Sequence, residues 1–397
     1  MKTMVSVSLS VFYFLSLSAW AGSDTVPLNK KPSKVKASDF SAITERLKAK
    51  SGKEPEPILG SEEAKLLKPQ LGSVGVYGTK KLNEVILKEL LGKDFEIWIQ
   101  KGLANDPKSI ELEKKLVDKI QQKFNFPLAE FSVVQFFEPE NISVHIVLDV
   151  VEKADLEDRI NFISEPTGQF PDPDSLIHSW LDYENKALDL IESGQLSPEG
   201  QRCQSLHCPF GHEHPSLQKY AAIFSEGVKK NYEKLLEILA KDKRPEYRSA
   251  SAYLLPYLID GKKVIPPLIE KIRDPDAIVR NNSLRVLGEI AEFHPEFVIP
   301  IKPIIPALNY PKASDRSKAV FIVYLLSLNS SSARDEILKN AVPNLLLLLE
   351  TKIPDQKEVA HNTLKKISGK EFPVTDSTSW KNWYAKLKKD KGLPAAK

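Results

Sequence analysis

The residues best suited to chemistry in this 397-residue chain gather in one short stretch. Cys203-Gln204-Ser205-Leu206-His207-Cys208, followed closely by His212-Glu213-His214, collects both cysteines and three of the seven histidines. Three chemistries are open to them. In an oxidising compartment Cys203 and Cys208 form a disulfide, and closing so short a loop contributes about 2 kcal/mol through the entropy removed from the unfolded chain. Alternatively, two thiolates and two imidazoles drawn from Cys203, His207, Cys208, His212 and His214 supply a tetrahedral zinc site, although the spacing of the two cysteines is wider than the usual zinc pattern. The third possibility leaves both thiols unpaired and buried. His212-Glu213-His214 is not the zinc-protease pattern, which needs two histidines four apart on a helix with a glutamate between them. The chain also has no Gly-rich phosphate loop and no Gly-x-Ser-x-Gly elbow. The expectation is therefore a protein without catalytic residues or a resident cofactor, and the rival is a metal-dependent enzyme or metal sensor centred on residues 203–214.

The N-terminus carries an export signal: Lys2, an apolar run from Val5 to Leu17, then Ala19-Trp20-Ala21 as the small-x-small cleavage pattern. As a helix, a run of that length reaches roughly 20 Å, short of the hydrocarbon core of about 30 Å, so cleavage near Ala21 and a periplasmic or secreted product are expected. No later run is long and apolar enough for stable membrane insertion. The 56 basic and 53 acidic residues nearly cancel, leaving +3, and Lys pairs such as Lys30-Lys31 and Lys388-Lys389 lie near the ends. A nucleic-acid partner is not expected from so even a balance.

The elements that must position these residues fall into segments. Residues 22–72, rich in Lys, Pro, Ser and Glu, read as a flexible tether, with a short amphipathic helix through Phe40, Ile43 and Leu47. Over 73–152 the pattern predicts a strand at 74–78, helices at 81–91 and 110–124, and strands at 131–137 and 142–151. Ile142, Val144, Ile146, Leu148 and Val150 share one face of the last strand. This β-α-α-β-β order, with a Gly-bearing first strand and a last strand ending in acidic residues, resembles the POTRA domain of outer-membrane assembly and secretion proteins. The resemblance implies protein binding by strand addition to a sheet edge. Residues 153–215 form a bridge holding one helix, striped by Leu176, Trp180, Tyr183, Ala187 and Ile191, with both aromatic rings facing a core.

From 216 to 397 the chain repeats itself. Leu236, Leu268, Ile304 and Leu346 are each followed twelve positions later by a charged residue, Arg248, Arg280, Arg316 and Glu358, and six further on by Leu254, Val286, Ile322 and Leu364. In the clearest unit, Ile265-Pro266-Pro267-Leu268-Ile269 opens a helix, Arg273-Asp274-Pro275-Asp276 ends it, and Ile278-Val279-Arg280 begins the next. This pattern resembles HEAT repeats, with Glu358 departing from the usual Arg in the fourth unit. The fold class expected is mainly α: a HEAT-type α-α superhelix after a small α+β domain. Asp376, Trp380, Trp383 and Leu387 form a closing helix, because the end of a stacked solenoid needs a cover. The function read from this plan is an exported, non-catalytic scaffold or adaptor that binds another protein through the second helix of each pair, with Arg248, Arg280 and Arg316 near the edge of that surface.

Overall fold

The structure, a computed structural model, describes residues 69–137, 141–193, 195–196 and 203–391. The export signal, the cleavage point, the Phe40 helix and the tether up to residue 68 lie outside the described residues. The tether's last residues belong instead to strand β1 (Pro69–Tyr77). Three helices follow, α1 (Glu84–Leu91), α2 (Lys93–Leu103) and α3 (Lys108–Phe124), then β2 (Leu128–Phe137) and β3 (Ile142–Val151). The sequence reading of two helices missed α2. Asn83 caps α1 by accepting a hydrogen bond from the Ile86 amide at 3.0 Å, and Asn125 ends α3 in the left-handed conformation.

The sheet order is β1-β3-β2, with β1 parallel and β2 antiparallel to the central β3. Alternation along β3 sends Val144, Ile146, Leu148 and Val150 against the helices, where they join Phe95, Trp98, Leu116 and Ile120. The other face is buried too. Tyr77, Val134 and Val147 belong to the hydrophobic core of the C-terminal half. A sheet covered on both sides explains why β3 is buried at nearly every position rather than at alternate ones.

After the sheet, an extended strap leads to α4 (Leu176–Glu192), whose Trp180 and Tyr183 are buried as expected. The helix pairs then stack: α5 (Gln218–Lys241) with α6 (Pro245–Leu254), α7 (Gly261–Lys271) with α8 (Ala277–Phe293), a 3-10 turn at Ile305–Asn309 with α9 (Ala313–Asn329), and α11 (Val342–Leu348) with α12 (Pro354–Ser368). α10 (Ser331–Asn340) is an extra element between the third and fourth units, and α13 (Ser377–Lys391) closes the stack. In the third unit the first helix has shrunk to a 3-10 turn, because Pro300, Pro303 and Pro306 leave little room for a hydrogen-bonded helix. On α13, Trp380 is fully buried and meets Phe372, Trp383 and His361 edge-on, with centroids 5.0, 5.8 and 5.7 Å away.

One backbone position stands out at the turn into α7. Ile259 sits at φ 59°, ψ 26°, a left-handed conformation that a β-branched residue adopts at a cost of about 1–2 kcal/mol, and its side chain is 49% exposed. Ile259→Gly removes that strain while adding freedom to the unfolded chain. A net gain of about 0.5–1 kcal/mol is expected, read as a higher urea midpoint at unchanged m-value.

Candidate functional site

Three arginines and three aspartates form a buried ladder through the turns joining the first helix of each pair to the second. Each arginine lies early on its second helix, so its guanidinium turns back over the preceding turn and reaches toward the next unit. Arg248 donates to the Asp242 carbonyl at 2.8 Å and to both carboxylate oxygens of Asp274 at 3.0 and 2.7 Å. Arg280 donates to the Asp274 and Pro275 carbonyls, both at 2.9 Å, and to Asp315 at 2.8 Å. Arg316 donates to the Tyr310 and Pro311 carbonyls at 2.8 and 2.6 Å. Its Nη2 reaches out of the solenoid altogether, to Asp149 of β3 at 2.7 Å, while Nε has no hydrogen-bond partner among the described residues.

Strand β3 therefore supplies the last acid of the ladder, while in the fourth unit Glu358 is exposed on α12 and the buried Asp355 bonds Ser317 rather than Arg316. Ser132 donates to Asp149 at 2.5 Å and in turn accepts from the Ala313 amide at 3.2 Å, joining β2 to the start of α9. Lys312 pairs with Glu130 at 3.2 Å. Tyr77 donates to Asn309 at 2.8 Å, and its ring covers the Arg316 guanidinium at 3.8 Å. Ser73 donates to the Lys352 carbonyl at 3.0 Å while its oxygen lies 2.8 Å from His145 Nδ1. Burial pushes the Asp149 carboxyl above its ordinary value against the pull of Arg316 and Ser132.

The strap continues the cover down the same edge. Arg159 donates to the Asn309 carbonyl at 2.9 Å, and the Phe162 ring lies 4.0 Å from the Arg280 guanidinium. The Ile163 amide donates to the Arg273 carbonyl at 2.8 Å, and the Phe170 amide to Asp242 at 3.0 Å. At Gly168 the two backbones pair as a single bridge, and a Cβ there would stand 2.8 Å from the Lys241 carbonyl oxygen, so no larger residue fits. The expectation that Arg248, Arg280 and Arg316 edge a partner-binding surface is corrected by this geometry. Their side chains are at most 5% exposed, and each is bonded to backbone carbonyls and to a carboxylate within the chain.

The cysteine cluster is also fixed. Cys203 and Cys208 are joined by a disulfide, their Cα atoms 5.9 Å apart. The imidazoles expected to join them around zinc point to separate partners. His207 Nδ1 lies 2.8 Å from Glu289, His212 Nε2 lies 2.8 Å from the Tyr257 hydroxyl, and His214 Nδ1 accepts from the Ser216 amide at 3.2 Å. Among the described residues no group of three or more His, Cys, Asp and Glu is placed to hold a metal ion, so the zinc alternative finds no ligand set.

The second helices leave part of the surface opposite the ladder open. Leu328 on α9 and Glu358 on α12 are exposed there, with Phe321, Leu325, His361 and Lys365 half-buried beside them. Between α9 and α12 lies a second group of sunken charges. Burial pushes Asp355 up to about 7, and burial together with Arg285 holds Lys318 well below its ordinary value.

Stacked helix pairs with arginines at the turns define a HEAT-repeat α-solenoid, here fronted by an α+β domain. The family model of HEAT repeats matches residues 232–302. A stretch of 143 residues is 29% identical to protein melted of Drosophila melanogaster, covering 34% of this chain and 14% of the fly protein. This chain thus matches a small part of that much longer relative. Among the described residues no helix is long and apolar enough to cross a membrane.

Asp149→Ala strands the Arg316 guanidinium in the interior, and a loss of about 3–5 kcal/mol is expected in chemical denaturation; replacing both partners with apolar residues of similar volume should lose much less. A second expectation concerns pH. Because the folded-state value of Asp355 is raised, its neutral form is the one that folding favours, and stability falls as pH rises from about 4 to about 7. Asp355→Asn keeps the neutral shape, so its stability relative to the unsubstituted chain should increase by on the order of 2 kcal/mol between pH 4.5 and 8 in parallel urea titrations.

Proposed function

We propose that this chain is an exported, non-catalytic scaffold or adaptor of the cell envelope that binds another protein along the outward face of its second helices. The observation that carries the reading is that α8, α9 and α12 lie side by side with their inner sides spent on core and ladder, which leaves Leu328 on α9 and Glu358 on α12 exposed on the opposite side. HEAT-type solenoids are helical scaffolds suited to protein binding, because side-by-side repeats present an extended surface without disturbing the core. The N-terminal export pattern and the Cys203–Cys208 disulfide support an oxidising compartment, periplasmic or extracellular.

The module in front of the solenoid takes a structural part in this reading. Its sheet face and strap cover the ladder edge, so partner contacts belong on the opposite side of the turns. The test places a photo-crosslinking side chain at Leu328 or Glu358 on the outward face, and at Lys262 on first helix α7 as a control, in the native host. Discrete protein adducts are expected from the first two positions and not from the third. Adducts from Lys262 alone, or none from Leu328 and Glu358, would sink the proposal.

A further inference from the structure

The loop closed by the Cys203–Cys208 disulfide presents one side chain to the solenoid much as a ligand would. His207 is fully buried although it sits on a loop. Its ring lies flat on Tyr253 of α6, with centroids 4.9 Å apart and planes 10° from parallel. Its Nδ1 stands 2.8 Å from the carboxylate of Glu289 on α8, which also accepts from the Cys208 amide at 3.4 Å. Burial alone would raise the Glu289 carboxyl, but His207, the Cys208 amide and Arg285 together hold it below its ordinary value, so an anion faces the ring edge. Nε2 has no hydrogen-bond partner among the described residues, and Nδ1 meets Glu289 at ion-pair distance without the alignment of a hydrogen bond.

An aromatic floor with a carboxylate at its edge is the arrangement that selects a planar nitrogen cation, whose face stacks while its N–H donates in the plane. The His207 imidazole covers the floor and brings one nitrogen beside the carboxylate. Its hold comes in part from the crosslink, since the closed loop keeps the ring at high effective concentration over the slot.

We infer that the slot between Tyr253 and Glu289 is a recognition site for a planar cationic side chain, an arginine or histidine of a protein partner, and that His207 occupies it as an internal surrogate held by the Cys203–Cys208 clasp. This rests on the reading of the second-helix face as the binding surface and names one specific site on it. Opening the clasp needs a dithiol. Thiol–disulfide exchange passes two electrons and two protons to the cysteines, giving two thiols, while the dithiol leaves as its own disulfide.

The test uses the full chain and small probes, imidazole and methylguanidinium, so no protein partner enters. In His207→Ala with the disulfide intact, either probe should give a saturable shift of the Tyr253 ring signals in NMR and a rise in Tm. In the H207A/E289Q double variant binding should weaken at least tenfold, and the unsubstituted oxidised protein should not respond. No saturable shift in H207A, or equal affinity in H207A/E289Q, overturns the assignment. If H207A does not fold, the unsubstituted protein treated with a dithiol takes its place. It should gain faster amide exchange over residues 205–208 and the same probe response, and a folded, reduced protein that stays closed to both probes is equally fatal. Failure here removes the slot but not the crosslinking result, and absent crosslinks at Leu328 and Glu358 would not alter the titration.

Discussion

The structure turns on the pair between Arg316 and Asp149. A guanidinium buried in a repeat turn must find a carboxylate, because leaving it unpaired costs far more than pairing it returns. Arg248 and Arg280 find theirs in the next helical unit. Arg316 does not, since Asp355 of the fourth unit is turned to Ser317, and the acid comes from a β-strand instead. That single substitution of partner binds two architectures into one core. It explains why Tyr77, Val134 and Val147 pack with the solenoid, why β3 is covered on both faces, and why the strap runs along the ladder edge.

The same arrangement divides the molecule into a closed and an open side. On the ladder edge, each arginine is paired with a carboxylate, and aromatic rings from the N-terminal half, Tyr77 on Arg316 and Phe162 on Arg280, cover the cations. Among the described residues no comparable layer covers the second helices except at the first two units, where the disulfide loop sets His207 against Tyr253 and Glu289. The exposed second-helix face and the structural seam are thereby kept apart, so contacts made on one need not disturb the other.

Much of this was legible in the residues. Strand 142–151 was bounded correctly because its alternation is strict, and the helix register through Leu254, Val286 and Ile322 placed buried positions in α6, α8 and α9. The closing helix followed from Trp380. Other parts were not legible for identifiable reasons. Helix α2 carried a signal in Phe95, Trp98 and Ile99 at helical spacing, but Gly92 and Gly102 broke the run. The strap has no periodicity, because it is held by scattered backbone bonds and single rings rather than by a repeating face. The burial of the arginines escaped the reading because a charged residue in a repeat turn looks the same in sequence whether it faces solvent or a partner acid. Asp149, an acid inside the apolar run Ile146-Val147-Leu148-Asp149-Val150-Val151, was the one hint that something basic had to meet that strand.

The 167 residues that separate Asp149 from Arg316 have a consequence for the order of assembly. A ribosome adding about 5–20 residues per second completes the sheet roughly ten to thirty seconds before it delivers the arginine that the sheet is waiting for. Throughout that interval the face bearing Tyr77, Val134 and Val147 has nothing to pack against, and the aspartate between them is without its counter-charge. A sheet that forms ahead of the third unit would therefore leave an apolar β surface on display until Arg316 arrives to close it.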